Sequence, residues 1–451
     1  MTSHLLAIRF GTGLSPDHPV PDEPDALMDD LVGPDVAEAA FPVSDWAQRV
    51  VDLRAFVDAR RAQRRATEQE ADAAKEAVRA QQAVLVRNYG GDLAAALARA
   101  SIAPTGFRER LVWFWADHFA VSDGQSYLRR SVGAYHDAAI RPHLAGSFGT
   151  LLREAVTHPA MLSYLDQERS VGPNSPRGRE GAGLNENLAR EILELHTLGV
   201  DGPYTQTDVR ELAELLTGLS ISRDGAPRFR RNFVEPGPET VLGKAYGGAR
   251  PNRHDIGILL DDLSVHPATA RHVSQKLAVH FVADEPPEDL VSVMVAAWRQ
   301  SGGNLTEVYR VLVTHPTALS PELRKVRRPL DLVAAAARAT GQGPALPTAG
   351  RRVLRRYVAQ PLAAMGQEWL RPPGPHGWPE EAAAWVTPQG LAARLDWAQD
   401  VGQAVDTDPR DFLEVALGPL ASARTRFAVE AAEDRAAGIA LVLAAPEFQR
   451  R

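Results

Sequence analysis

The apolar positions of this chain recur mostly at helical spacing. Between Trp46 and about Arg87 there is no Pro and no Gly, and Arg, Glu, Gln and Ala crowd the stretch, which predicts one long helix. Apolar residues thin out between Ala62 and Ala77, so that part reads as solvated, its arginines balanced by neighbouring acids. Leu111, Phe114, Trp115 and Phe119 keep a helical period, and HLAGSFGTLLREAV after Arg141-Pro142 predicts another helix. Similar patterns cover 256–262, 268–282, 287–301, 305–313, 324–340 and 351–365. Breakers punctuate them. QERSVGPNSPRGREGAG reads as a mobile loop, Ser220–Arg253 as short β-like fragments with a hairpin near Arg228–Val234, and GQGPALPTAG as a linker.

The expected fold is therefore all-α, with at most a small β-hairpin insertion. Residues 1–45 form an extended arm with one helix near Asp25–Leu31, and 46–100 a long helical segment. Residues 101–340 form a central helical domain, and 341–451 a smaller C-terminal helical lobe with a Trp/Pro loop. His-Pro pairs at His158, His266 and His315 end one helical pattern and start the next. Pro suits a first helical turn, and the His reads as a corner-maker capping the preceding helix end.

The densest polar chemistry lies in NENLAREILELHTLGVDGPYTQTDVRELAELLTG, Asn185 to Gly218. At about 100° per residue, Glu186, Arg190, Glu194, Asn187 and Glu191 share an arc of roughly 140°, with Leu188, Ala189, Ile192, Leu193 and Leu195 opposite. Either this is a solvated face laced by i,i+4 ion pairs, or it lines a cleft with Glu191 and Glu194 as paired carboxylates for a metal or for proton transfer. Asn185 is placed as the N-cap, Gly199 as the C-cap, and Thr205 with Asp208 as a capping box for the next helix. His118, in an aromatic run after Asp117, reads either as a hydrogen-bonded core group or as half of an acid/base pair. Tyr164 with Asp166 forms a third pair, its plainer reading a helix-end cap. Trp369, Trp378 and Trp385 in a Pro-rich loop suggest a sugar or peptide platform, or rings packed over a joint.

Composition narrows the classes. The chain has 451 residues, no Cys and a formal charge of −7, which removes disulfides and thiolate chemistry and gives no electrostatic case for nucleic acid. HExxH, Walker A, GxSxG and GxGxxG motifs are absent. No stretch approaches the ~20 apolar residues of a membrane span. The run Leu5–Ile8 is too short for a signal peptide, so a cytoplasmic location is expected.

WFWADHFAVS, HPAMLSYLD, the Asn185–Gly218 stretch, PPGPHGWPEEAAAWVTPQGLAARLDWA and LVLAAPEFQRR together resemble the bacterial domain of unknown function 1800 family, from Ala7 to the C-terminus. The resemblance implies no established activity. It implies bacterial proteins, often exported, and often encoded beside a second family that looks sulfatase-like. This chain departs by lacking an evident signal peptide, so its export would rest on a partner. It also has Asp117 where the family usually has Asn, and Val234–Thr240 in place of a His-Asp segment. Glu235 and Glu239 are the acids that stand there instead.

Two functions follow as expectations. One is an enzyme with Glu191, Glu194 and His118 as catalytic groups. Asn185, Glu186, Asn187, Arg190, Tyr164 and Asp166 would bind substrate, and a divalent metal would be a fitting cofactor for hydrolysis. The other is a non-catalytic accessory protein that assembles with a sulfatase-like partner.

Overall fold

A computed structural model describes residues 2–123, 130–248 and 252–451. The chain is mainly helical, and one apolar core runs from Leu6 near the start to Phe448 near the end. Among the described residues no helix is long and apolar enough to cross a membrane.

The first 45 residues hold more structure than the expected arm. Helix α1 (Thr2–Arg9) is buried, and α2 (Pro24–Val32) places Leu27, Met28 and Leu31 in the core. Arg9 anchors α1 by donating to the carbonyls of Ser320 at 2.8 Å and Glu322 at 2.7 Å. The short apolar run at Leu5–Ile8 shows no period, which is why composition made it look extended.

The expected single long helix is two, α3 (Trp46–Arg65) and α4 (Ala71–Ile102), packed against each other. The solvated stretch supplies the turn. Glu70 accepts from the Thr67 N–H at 3.1 Å and its hydroxyl at 2.9 Å, a local bond that competes with helix continuation. Folding back lets Val50 and Leu53 of α3 and Leu85 and Leu93 of α4 share the core.

Helices α5 (Phe107–His118) and α6 (Phe148–Thr157) carry the aromatic centre, where Trp115 donates to the Tyr309 hydroxyl at 2.6 Å. Then come α7 (Asn187–Glu191), α8 (Gln206–Leu215), α9 (Pro267–Phe281) and α10 (Pro329–Ala339). The C-terminal part includes α11 (Pro388–Ala404) and α12 (Arg435–Ala444). The stretch read as a linker is a 3₁₀ helix, Gly343–Thr348, lying against α4, and Gly343 sits too close to Ser101 to carry a Cβ.

The His-Pro corners exist, with one correction to their mechanism. The rings of His158, His266 and His315 each accept, through Nδ1, the N–H two residues onward, at 3.1, 3.1 and 3.3 Å. They therefore cap the helix that follows as neutral acceptors, and burial holds His158 down at about 3.

Two antiparallel hairpins complete the fold: β1 (Leu219–Ile221) with β2 (Pro227–Phe229), and β3 (Gly237–Val241) with β4 (Lys244–Gly248). The second turns at Leu242-Gly243, both at positive φ (51° and 76°). A two-residue turn of this kind favours Asn or Asp before Gly, so Leu242 hides it from a sequence reading.

Candidate functional site

Helix α7 begins with Asn185 folded over its start. Asn185 Oδ1 accepts from the Asn187 N–H at 2.9 Å, and its Nδ2 donates to the Leu165 carbonyl at 2.9 Å, tying the helix to the Tyr164–Asp166 corner. After Glu191 the helix widens into a π turn, Ile192–Thr197, closed by Thr197 Oγ1 donating to the Ile192 carbonyl at 2.6 Å. The wide turn leaves two successive carbonyls free for side chains. His272 Nε2 reaches the Leu195 oxygen at 3.1 Å, and His118 Nε2 reaches that of His196 at 3.2 Å. Such π segments recur at functional positions.

These bonds divide the residues singled out above. His118 lies on the inner side, 2% exposed, and its ring is 5.7 Å from that of His196 and 6.4 Å from that of His272. Burial first, then the Lys276 charge, pushes His118 well below the usual histidine range, and His196 falls to about 3 for the same reasons. His118 is thus a neutral clamp on the π turn, and it does not meet the outer carboxylates. Burial likewise lowers Lys276, with Asp117 and Glu380 opposing it.

The outer side gathers most of the remaining candidates. Arg190 donates to Glu194 at 3.1 Å, Glu186 at 3.4 Å and Gln206 of α8 at 2.8 Å, and Gln206 in turn donates to Glu186 at 2.8 Å. Arg190 is therefore a rivet between α7 and α8, with three of its bonds already made. Glu194 is 24% exposed, and Glu191 is half-buried. Both carboxylates are partly shielded from water. Burial first, then the Glu194 charge, lifts Glu191 to about 7, and Arg190 offsets only part of this. Burial and Glu191 together raise the Tyr164 hydroxyl, which places that phenol in the field of Glu191. Asn187 is exposed. Asp166 is exposed and pairs with Arg169 at 3.3 Å.

The polar face continues along α8, where the capping box of Thr205 and Asp208 forms as expected. Asp208 and Glu211, one turn apart, accept the Leu242 and Thr240 N–H groups at 2.7 and 2.8 Å, so the helix grips the hairpin edge through carboxylates. This docking brings Glu239 of β3 against α8. Glu211, Glu214 and Glu239 each offer an oxygen within 4.8 Å of the others. Glu239 is 6% exposed, and among the described residues its hydrogen-bond partner is another acid, Glu211. Burial, then Glu214 and Glu211, lifts Glu239 to about 8. Glu235 turns instead to Asn174, accepting from its N–H at 2.8 Å and its amide at 2.6 Å.

Of this trio the sequence had pointed only to Glu239. Glu211 and Glu214 were missed, although their i,i+3 spacing sets them on one helix face, because their third partner comes from an unrecognised strand.

The Trp/Pro loop turns inward. Asp117 accepts from the Trp378 N–H at 2.8 Å and from Arg328 at 2.7 Å, Trp385 is buried, and the Trp378 and Trp385 rings lie 6.0 Å apart. Two donors aimed at two oxygens explain an Asp at this position, since an Asn would offer one acceptor and one clashing amide. The space beside it is only about 70 Å³.

A family model described as "Protein of unknown function (DUF1800)" matches residues 5–450. No curated protein and no solved structure matches the chain.

Proposed function

We propose that this chain, which belongs to the DUF1800 family, is a hydrolytic enzyme that works on the acidic face formed by α7, α8 and β3. The observation that carries the reading is Glu239, a buried carboxyl whose hydrogen-bond partner is a second carboxyl. Arg210 donates to Glu214 at 3.1 Å, which leaves the Glu211 and Glu239 carboxyls facing each other. A shared proton or a cation relieves that pair, since like charges a few ångströms apart resist joint ionisation. Glu211, Glu214 and Glu239 fit a hard divalent cation such as Mg²⁺, Mn²⁺ or Ca²⁺, because all their donor atoms are oxygens. When bound, such a cation supplies a polarised oxygen or an activated water.

The chain's own residues supply proton transfer. Glu191, poised at about 7, can give or take a proton at neutral pH, and the neutral Tyr164 phenol beside it can donate a hydrogen bond. Arg190 holds Glu194 and Glu186 in place, so its role is positioning rather than substrate capture.

The alternative is an accessory protein docking on a sulfatase-like enzyme, for which the missing catalytic motifs and the departure at Val234–Thr240 speak. In its Trp/Pro loop the buried Trp385 ring lies 6.0 Å from that of Trp378. A thermal-shift series with Mg²⁺, Mn²⁺ and Ca²⁺ tests the proposal. Wild type should be stabilised by at least one ion, and Glu211→Gln with Glu214→Gln should abolish the effect. Equal stabilisation of that variant would reject it.

A further inference from the structure

The strongest charge concentration outside the acidic face has the opposite sign. Arg223, Arg228, Arg230 and Arg231 fall within nine residues on and after the first hairpin, and with Arg169 they line an open groove of about 880 Å³. The acid lining it is Glu168. Burial raises its carboxyl while Arg169 and Arg230 oppose the shift, and among the described residues one of its oxygens is buried without a hydrogen-bond partner, so one carboxyl stands against five guanidiniums.

The scaffold that presents these cations is rigid. The hairpin tip is held by Trp46 of α3, whose indole donates to the Gly225 carbonyl at 3.0 Å, and Gly225 lies so close to Val50 that a Cβ would clash. On the other side the Arg230 N–H donates to Gly218 O at 2.8 Å, and the Gly172 N–H donates to Phe233 O at 2.8 Å. The Arg230 guanidinium lies 5.0 Å over the Phe233 ring, and its Nε is buried with no acceptor. Among the described residues the side chains of Arg223, Arg228 and Arg231 have no ion pair or hydrogen bond, and all three are exposed. Of the five guanidiniums around this groove only that of Arg169 makes an ion pair among the described residues, with Asp166, so the other four repel one another and an anion between them would relieve this.

We propose that this groove binds a polyanionic carbohydrate, a sugar or cyclitol ring or a short run of rings carrying several phosphate or sulfate esters. Guanidinium forks match tetrahedral oxyanions bidentately. Phe229, Ser222 and Asn232 line the same groove and suit a ring face and its hydroxyls. A long polyanion is disfavoured, since the chain as a whole carries −7 and repels whatever extends beyond the groove. The site is separate from the carboxylate trio, and its assignment does not rest on the catalytic reading.

The test is equilibrium binding of two probes to the full chain, inositol hexakisphosphate for phosphate esters and a heparin-derived hexasaccharide for sulfate esters. The variant replaces Arg223, Arg228 and Arg231 by Ser, and a control of equal charge replaces Arg61, Arg64 and Arg65 of α3. At least one probe should bind wild type, and the ester it carries identifies the ligand. The groove variant should lose at least about tenfold in affinity, as expected for losing charge-assisted hydrogen bonds, while the control stays within about twofold. Equal loss in the control would reduce the effect to net charge and overturn the proposal. So would failure of both probes, or tighter binding of a short oligothymidylate than of either ester, which would assign the groove to single-stranded nucleic acid.

Discussion

Glu239 and Glu191 are carboxyls whose surroundings favour the protonated form, at about 8 and about 7. An acid whose folded pKa lies above its unfolded value binds its proton more tightly when folded. Its contribution to stability is intact below the unfolded pKa and is lost as pH rises through the folded one. Replacing Glu239 by Gln removes that titration. In metal-free buffer the variant should gain melting temperature over wild type as pH rises from about 5 to about 8, and the two should converge at the acid end. A constant difference across the range would show that Glu239 is not held protonated. Tyr309→Phe tests a different bond: it strands the buried Trp115 N–H and should cost about 1–3 kcal/mol in urea denaturation.

Among the elements, α8 both builds the hairpin edge and aims the carboxylates. Thr205→Ala removes its capping box and should cost about 0.5–2 kcal/mol. Asp208 would also be freed from its local bonds, so cation affinity should fall although no ligand is altered, which titration of the variant would reveal. The elements also show what the sequence could disclose. The helical period around Trp115, the arc of Glu186, Arg190 and Glu194 and the Thr205 cap are local patterns, and they appear as expected. The second hairpin was invisible because Gly237, Pro238 and Leu242 contradict strand and turn preferences, and packing against Asp208 and Glu211 overrides them. The π turn left no sequence signal, and the carbonyls it frees for His118 and His272 explain why an apparent catalytic histidine faces inward.

Across the whole molecule, the C-terminal part is fastened to the core by buried charge. Arg110 donates to His280 Nε2 at 2.9 Å, so Nε2 must accept and Nδ1 carries the proton directed to Glu380 at 2.6 Å. Lys325 and Arg328 flank Glu380 at 3.6 and 3.5 Å, and the fully buried Arg451 reaches Asp331 at 3.3 Å. Glu380→Ala should cost about 3–5 kcal/mol in denaturant unfolding, because it leaves buried cations uncompensated. No spacing in the sequence links Arg110, His280, Arg328 and Glu380, which come from distant segments, so this joint became visible only in three dimensions.

The acidic face is the centre of the account, and calorimetric titration of Mn²⁺ into metal-free protein near neutral pH tests it most directly. Wild type should bind with a heat that changes with the ionisation enthalpy of the buffer, because Glu239 must release its proton to become a ligand. Glu214→Gln should weaken binding at least about tenfold, the loss expected for one charged ligand. No binding by wild type at millimolar Mn²⁺, or binding that the variant leaves unchanged, would contradict it.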